Sequence, residues 1–95
     1  MQDYAIQLAA LEEFNRFLEN FREEIGEKLI TYSNKFLALR ENLSVQIAEK
    51  YLADYCEQNT QVLRHLIDNI TQRDLPYIKD NMAVTMEAIE RARKG

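Results

Sequence analysis

His65 is the only histidine of this 95-residue chain and Cys56 its only cysteine, so imidazole or thiol chemistry would rest on these two side chains. They lie nine residues apart, which on a helix puts them on different turns and opposed faces. Neither belongs to a set with metal-ligand spacing. Within Leu63-Arg64-His65-Leu66 the imidazole reads as a surface or boundary residue. The paired carboxylates Glu12-Glu13 and Glu23-Glu24 fall on the solvated side of a helical pattern rather than facing each other as an acid/base dyad. No Glu-x-x-His pattern of the di-iron bundles occurs. Ser33 and Ser44 have no base nearby in sequence. The five tyrosines and four phenylalanines sit mostly at apolar-stripe positions, which makes them core or interface rather than a cofactor box. The expectation is a non-enzymatic chain with no catalytic, cofactor or metal site.

Composition narrows the elements that carry these residues. Apolar residues make up 46% and charged residues 29% of the chain, a globular balance. Two glycines and one proline supply too little turn chemistry for a sandwich or barrel, which needs a turn every ~10 residues. The chain is therefore expected to be all-α, a single domain over residues 1–95 near the small end for an independent core. A net charge of −4 and a pI near 5.0 argue against nucleic acid as a partner, because phosphate binding needs a basic face. Arg91, Arg93 and Lys94 suit the carbonyl end of a helix. A lone cysteine fits a reducing compartment, or export of an already folded chain. The start MQDYAIQLAALEEF has no cationic leader, and no apolar run reaches the ~20 residues of a membrane span. The expected location is cytoplasmic.

The first half is strongly periodic. Tyr4, Leu8, Leu11, Phe14, Leu18, Phe21, Ile25, Leu29, Tyr32, Phe36 and Leu39 step by three or four residues, the signature of one helix over about 4–39. Gly26 sits mid-pattern as a tolerated glycine. Such a helix would run roughly 55 Å and needs a partner along its length. Residues 40–43 break the rhythm, and Asn42 or Ser44 can cap a second helix over about 44–73. Its stripe reads Ile47, Ala48, Tyr51, Leu52, Tyr55, Val62, Leu66 and Ile70, with a polar turn at Gln58 and Asn59 that is either a register-fixing layer or a place where the hairpin opens to water. Pro76 restricts Leu75 and cannot donate to the helix ladder, so a break or kink is expected at Asp74–Pro76, with Asp74 as the N-cap of a C-terminal helix over about 75–93. The apolar residues of that last segment, Ile78, Met82, Met86 (or Val84) and Ile89, lie roughly 120° from the stripe before the proline. The architecture expected is a long antiparallel helical hairpin with a kinked or separate C-terminal helix.

Helix one carries large apolar residues beside its main stripe: Phe17, Ile30 and Leu37. A helix pair alone leaves them wet, which marks a protein-binding surface, and two hairpins in a four-helix bundle would bury them. The alternative is that residues 75–92 fold back and cover them. The partner-binding set expected is Phe17, Phe21, Ile30 and Leu37 on the first helix with Tyr55, Val62 and Leu66 on the second. The partner would be a second copy or another helical protein.

The turn reads Leu43-Ser44-Val45-Gln46-Ile47-Ala48-Glu49-Lys50-Tyr51. In this frame the chain resembles the WXG-motif (ESAT-like) family of small type VII secretion substrates, whose turn is Trp-x-Gly-x-Ala-Ala-x-x-Phe. Ala48 matches, Tyr51 replaces phenylalanine, Leu43 stands for the tryptophan and Val45 for the glycine. The family's export signal, a tyrosine followed four residues later by Asp or Glu, is missing, since Tyr77 is followed there by Asn81. The resemblance implies a divergent helical-hairpin substrate, or the partner of a larger export effector, exported without a cleaved signal peptide. Two other classes fit the same residues: a cytosolic secretion or flagellar-type chaperone, and a structural helical-bundle subunit or immunity-type binder.

Overall fold

The computed structural model describes residues 3–94; the ends of the expected domain, Met1, Gln2 and Gly95, lie outside the described residues. Helix α1 runs Tyr4–Arg40, 37 residues without interruption. Asp3 begins it, its Oδ1 accepting from the backbone N–H groups of Ala5 (3.0 Å) and Ile6 (3.3 Å), first-turn donors that have no partner within the helix. The chain then turns through residues 41–44. Ser44, with extended backbone (φ −61°, ψ 151°), caps the next helix by accepting from Ile47 N–H at 3.3 Å. Of the two caps the sequence offered, Ser44 takes the role.

From Val45 to Lys94 the backbone stays helical, in five stretches: α2 (Val45–Ile47), a π-helical turn at Ala48–Leu52, α3 (Ala53–Asn69), a second π-helical turn at Ile70–Asp74, and α4 (Leu75–Lys94). No strand occurs among the described residues. The expected break at Asp74–Pro76 is therefore a widened turn. Asn69 (φ −61°, ψ −44°) and Leu75 (φ −64°, ψ −45°) are both helical, and Leu75 N–H donates to Ile70 O, one residue further back than in an α-helix. Asp74 is not an N-cap; its Oδ1 accepts from Arg73 Nε at 2.9 Å. The physical reason lies in the offset between the two apolar stripes. A π turn takes one extra residue per turn, so Ile70 and Leu75, five apart, both lie buried. The stripe regains its face without leaving the helix, and the proline falls where the regular ladder is already interrupted.

The described chain forms two compact units, each an antiparallel pairing of part of α1 with part of the second helical stretch. The terminal unit holds residues 3–21 and 69–94; the turn unit holds Arg22–Asp68. In the terminal unit Leu18, Ile70, Leu75 and Ile78 are buried, with Leu8, Leu11, Met82 and Ile89 half-buried. Thr85 is the most enclosed side chain, 2% exposed. It replaces the expected Met86, which points outward. Thr85 Oγ1 donates to Asn81 O (2.7 Å) and accepts from Gln7 Nε2 (2.9 Å), a polar link from α4 to α1. In the turn unit Ile25 and Ala48 are buried, and Leu29, Phe36, Leu52, Cys56, Leu63 and Ile67 are half-buried. The polar member of this seam is Thr60, buried, its hydroxyl donating to Glu57 O at 3.0 Å. Of the two readings of Gln58 and Asn59, a buried polar layer is not formed; both side chains are exposed to water.

Candidate protein-docking surfaces

On α3 the buried line is Cys56, Thr60, Leu63 and Ile67, one residue round the helix from the expected Tyr55, Val62 and Leu66. Both sets share helical spacing, and the line of Cys56, Thr60, Leu63 and Ile67 is the one that faces the seam. Tyr51, Tyr55, Val62 and Leu66 consequently form an exposed apolar ribbon on the flank. Tyr55 meets Phe36 edge-on, ring centroids 6.0 Å apart at 73°.

The expected docking residues are exposed, but they do not share one face. In the turn unit Leu37 lines a groove of about 410 Å³ with Ser33, Arg40, Glu49 and Cys56. Tyr55 and Val62 line a different groove, about 400 Å³, with Tyr32, Phe36 and Asn59. Leu66 and Val62 border a shallow hollow on α3 beside His65. Ile30 is 64% exposed and Leu37 59%. Phe17 and Phe21 belong to the terminal unit, stacked with centroids 6.0 Å apart and planes within 5°.

The terminal unit also has a groove absent from the sequence reading. Leu11, Phe14 and Leu18 from α1, Asp74 from the π-helical turn, and Tyr77 and Ile78 from α4 line it, about 430 Å³ in volume. The spacing 11, 14, 18 could have found it, because i, i+3, i+7 is one helix face. The sequence reading places all three in the core stripe and keeps Phe17, Phe21, Ile30 and Leu37 for docking. Residues 75–94 do fold back on α1, yet Phe17 stays 61% exposed.

At the turn, Ala48 is buried while Leu43, Val45 and Tyr51 are exposed. Cys56 is unbridged and half-buried, and His65 is exposed. Among the described residues no group of three or more His, Cys, Asp or Glu is placed to hold a metal ion. No helix among them is long and apolar enough to cross a membrane. No protein-family model matches the sequence, and neither a curated protein nor a solved structure matches it.

Proposed function

We propose that the chain is a non-enzymatic protein-binding module whose exposed apolar helix faces dock another helical protein. Its partner, on this reading, is a type VII export substrate or sister subunit, and the complex rather than this chain alone carries the export signal. The observation behind docking is that Phe17, Ile30 and Leu37 remain exposed although each half of α1 already has a helix packed on it. Each large apolar side chain contributes ~1.5–3 kcal/mol when buried, so a few of them suffice to hold a partner helix. Helix-on-helix docking needs an apolar stripe with charged borders and no catalytic group. The secretion assignment is supported by the turn resemblance at residues 43–51.

Co-purification from the native host tests the reading. A tagged chain should recover an α-helical partner, and Phe17→Asp plus Ile30→Asp should abolish recovery while far-ultraviolet circular dichroism is unchanged. Recovery of no partner, together with unimpaired export of every type VII substrate in a deletion strain, would end it.

A further inference from the structure

Two apolar lines compete for the inner face of α3, and they share both ends. The line against α1 runs Leu52, Cys56, Thr60, Leu63, Ile67 and Ile70, every member buried or half-buried. The other runs Leu52, Tyr55, Asn59, Val62, Leu66 and Ile70, and its four middle members are exposed. Both step by three or four residues from one anchor to the other, so they lie about 100° apart round the helix. Each holds one polar residue whose donor is already engaged. Thr60 Oγ1 donates to Glu57 O at 3.0 Å, and Asn59 Nδ2 to Tyr55 O at 2.7 Å. A groove flanks the seam on each side. Tyr55, Asn59 and Val62 border one of about 400 Å³ against Tyr32 and Phe36; Leu52 and Cys56 border the other, about 410 Å³, with Ser33 and Leu37. A turn of α3 that carries Tyr55 and Val62 inward therefore fills the first groove and brings Cys56 out into the second.

Such a turn needs one residue released before α3 and taken up after it, and the widened turns supply both. At Ala48–Leu52, Ala53 N–H donates to Ala48 O, one residue further back than in an α-helix. Closing this turn to a regular one winds α3 by one residue, about 100° with a shift of ~1.5 Å along its axis. That puts the Tyr55 line at the seam. The opposite step would bring in Glu57, Gln61, Arg64 and Asp68, all polar or charged, so the motion has one direction. The released residue is taken up between Leu66 and Asp74. A widened turn already stands at Ile70–Asp74, Asp74 has the side chain to cap an opened turn, and Pro76 has no N–H to lose.

We infer that α3 is a one-residue ratchet: it turns about its own axis between the two π-helical turns and exchanges the Cys56 line for the Tyr55 line at the seam of the turn unit. In either register one apolar line stays in water, and the ratchet decides which. The test reads thiol reactivity toward N-ethylmaleimide on the full chain. One probe is the native Cys56; the other, on the outer line, is Val62→Cys in a Cys56→Ser chain. Asn59→Leu makes the outer line wholly apolar and should shift the register. Cys56 should then react at least about fivefold faster and the probe at position 62 at least about twofold slower, with far-ultraviolet circular dichroism unchanged. Deleting Lys50 as well removes the residue that is passed along, and should return both rates to those measured without Asn59→Leu. If Asn59→Leu lowers helicity, Asn59→Ala is judged by the same criterion. Opposite movement of the two rates, reversed by the deletion, upholds the ratchet. Every other pattern overturns it: both probes faster means local unfolding, unchanged rates mean a fixed register, and a shift that survives loss of Lys50 has another cause.

Discussion

Gly26 occupies the interior of α1, and nothing stands within 4 Å of where its Cβ would be. Glycine loses more backbone freedom on folding than alanine does, and no packing reason compensates here. Gly26→Ala should therefore stabilise the chain by about 0.5–1 kcal/mol in urea unfolding, with the m-value unchanged; a loss of stability would reveal a close approach at this position. Residue-level reading of the sequence placed Leu18 and Ile25 of α1's main stripe where the structure buries them, whereas Tyr4, Phe14, Phe21, Tyr32 and Leu39 of the same stripe are exposed. It misplaced α3 by one residue. Cys56, Thr60, Leu63 and Ile67 have the same helical spacing as Tyr55, Val62 and Leu66, and periodicity alone does not say which of two adjacent lines faces the partner helix. Thr85 was passed over because a threonine adds little to an apolar pattern. Its value comes from two hydrogen bonds, which hydropathy does not register.

At the scale of elements, the second helical stretch hinges on the π turn at Ile70–Asp74. The sequence showed both of its causes, the stripe offset and Pro76, and the expectation drawn was a break or a kink. A chain can also absorb an extra residue by widening one turn, and that alternative keeps every residue helical. The π turn thus holds one residue more than an α-helix needs between Ile70 and Leu75. Deleting Gln72 together with Pro76→Ala should leave a regular helix with Leu75, Ile78 and Thr85 still on the buried face, and thermal unfolding should remain cooperative. Deleting Lys79 instead rotates Met82, Thr85 and Ile89 by about 100° off the seam and should abolish the cooperative transition of the terminal unit. Equal tolerance of both deletions would refute the role given to the turn. The deletion alone, with Pro76 retained, should cost up to ~3 kcal/mol because the proline would then fall inside a regular ladder.

For the whole molecule, the sequence conveyed helical class, a turn at residues 40–43, one residue from the observed 41–44, and an apolar excess beyond what one helix pair can cover. It did not convey that the excess divides between two units, because periodicity along a helix carries no record of which segment packs where. If a second copy is the partner that docks, association is linked to folding, and the melting temperature should rise with protein concentration. Scans across a hundredfold dilution check this; a constant midpoint would count against a native-state dimer. The two units also differ in the order in which synthesis can complete them. Arg22–Asp68 is contiguous and closes through a short turn, so its partners emerge from the ribosome almost together. The terminal unit joins segments made far apart in time, as the bond between Gln7 and Thr85, 78 residues apart, records. At ~5–20 residues per second, the segment bearing Leu8, Leu11 and Leu18 waits on the order of several seconds for its own α4. A product truncated before Leu75 would keep its local pairing yet carry that apolar segment permanently uncovered, a ready substrate for chaperones and proteases.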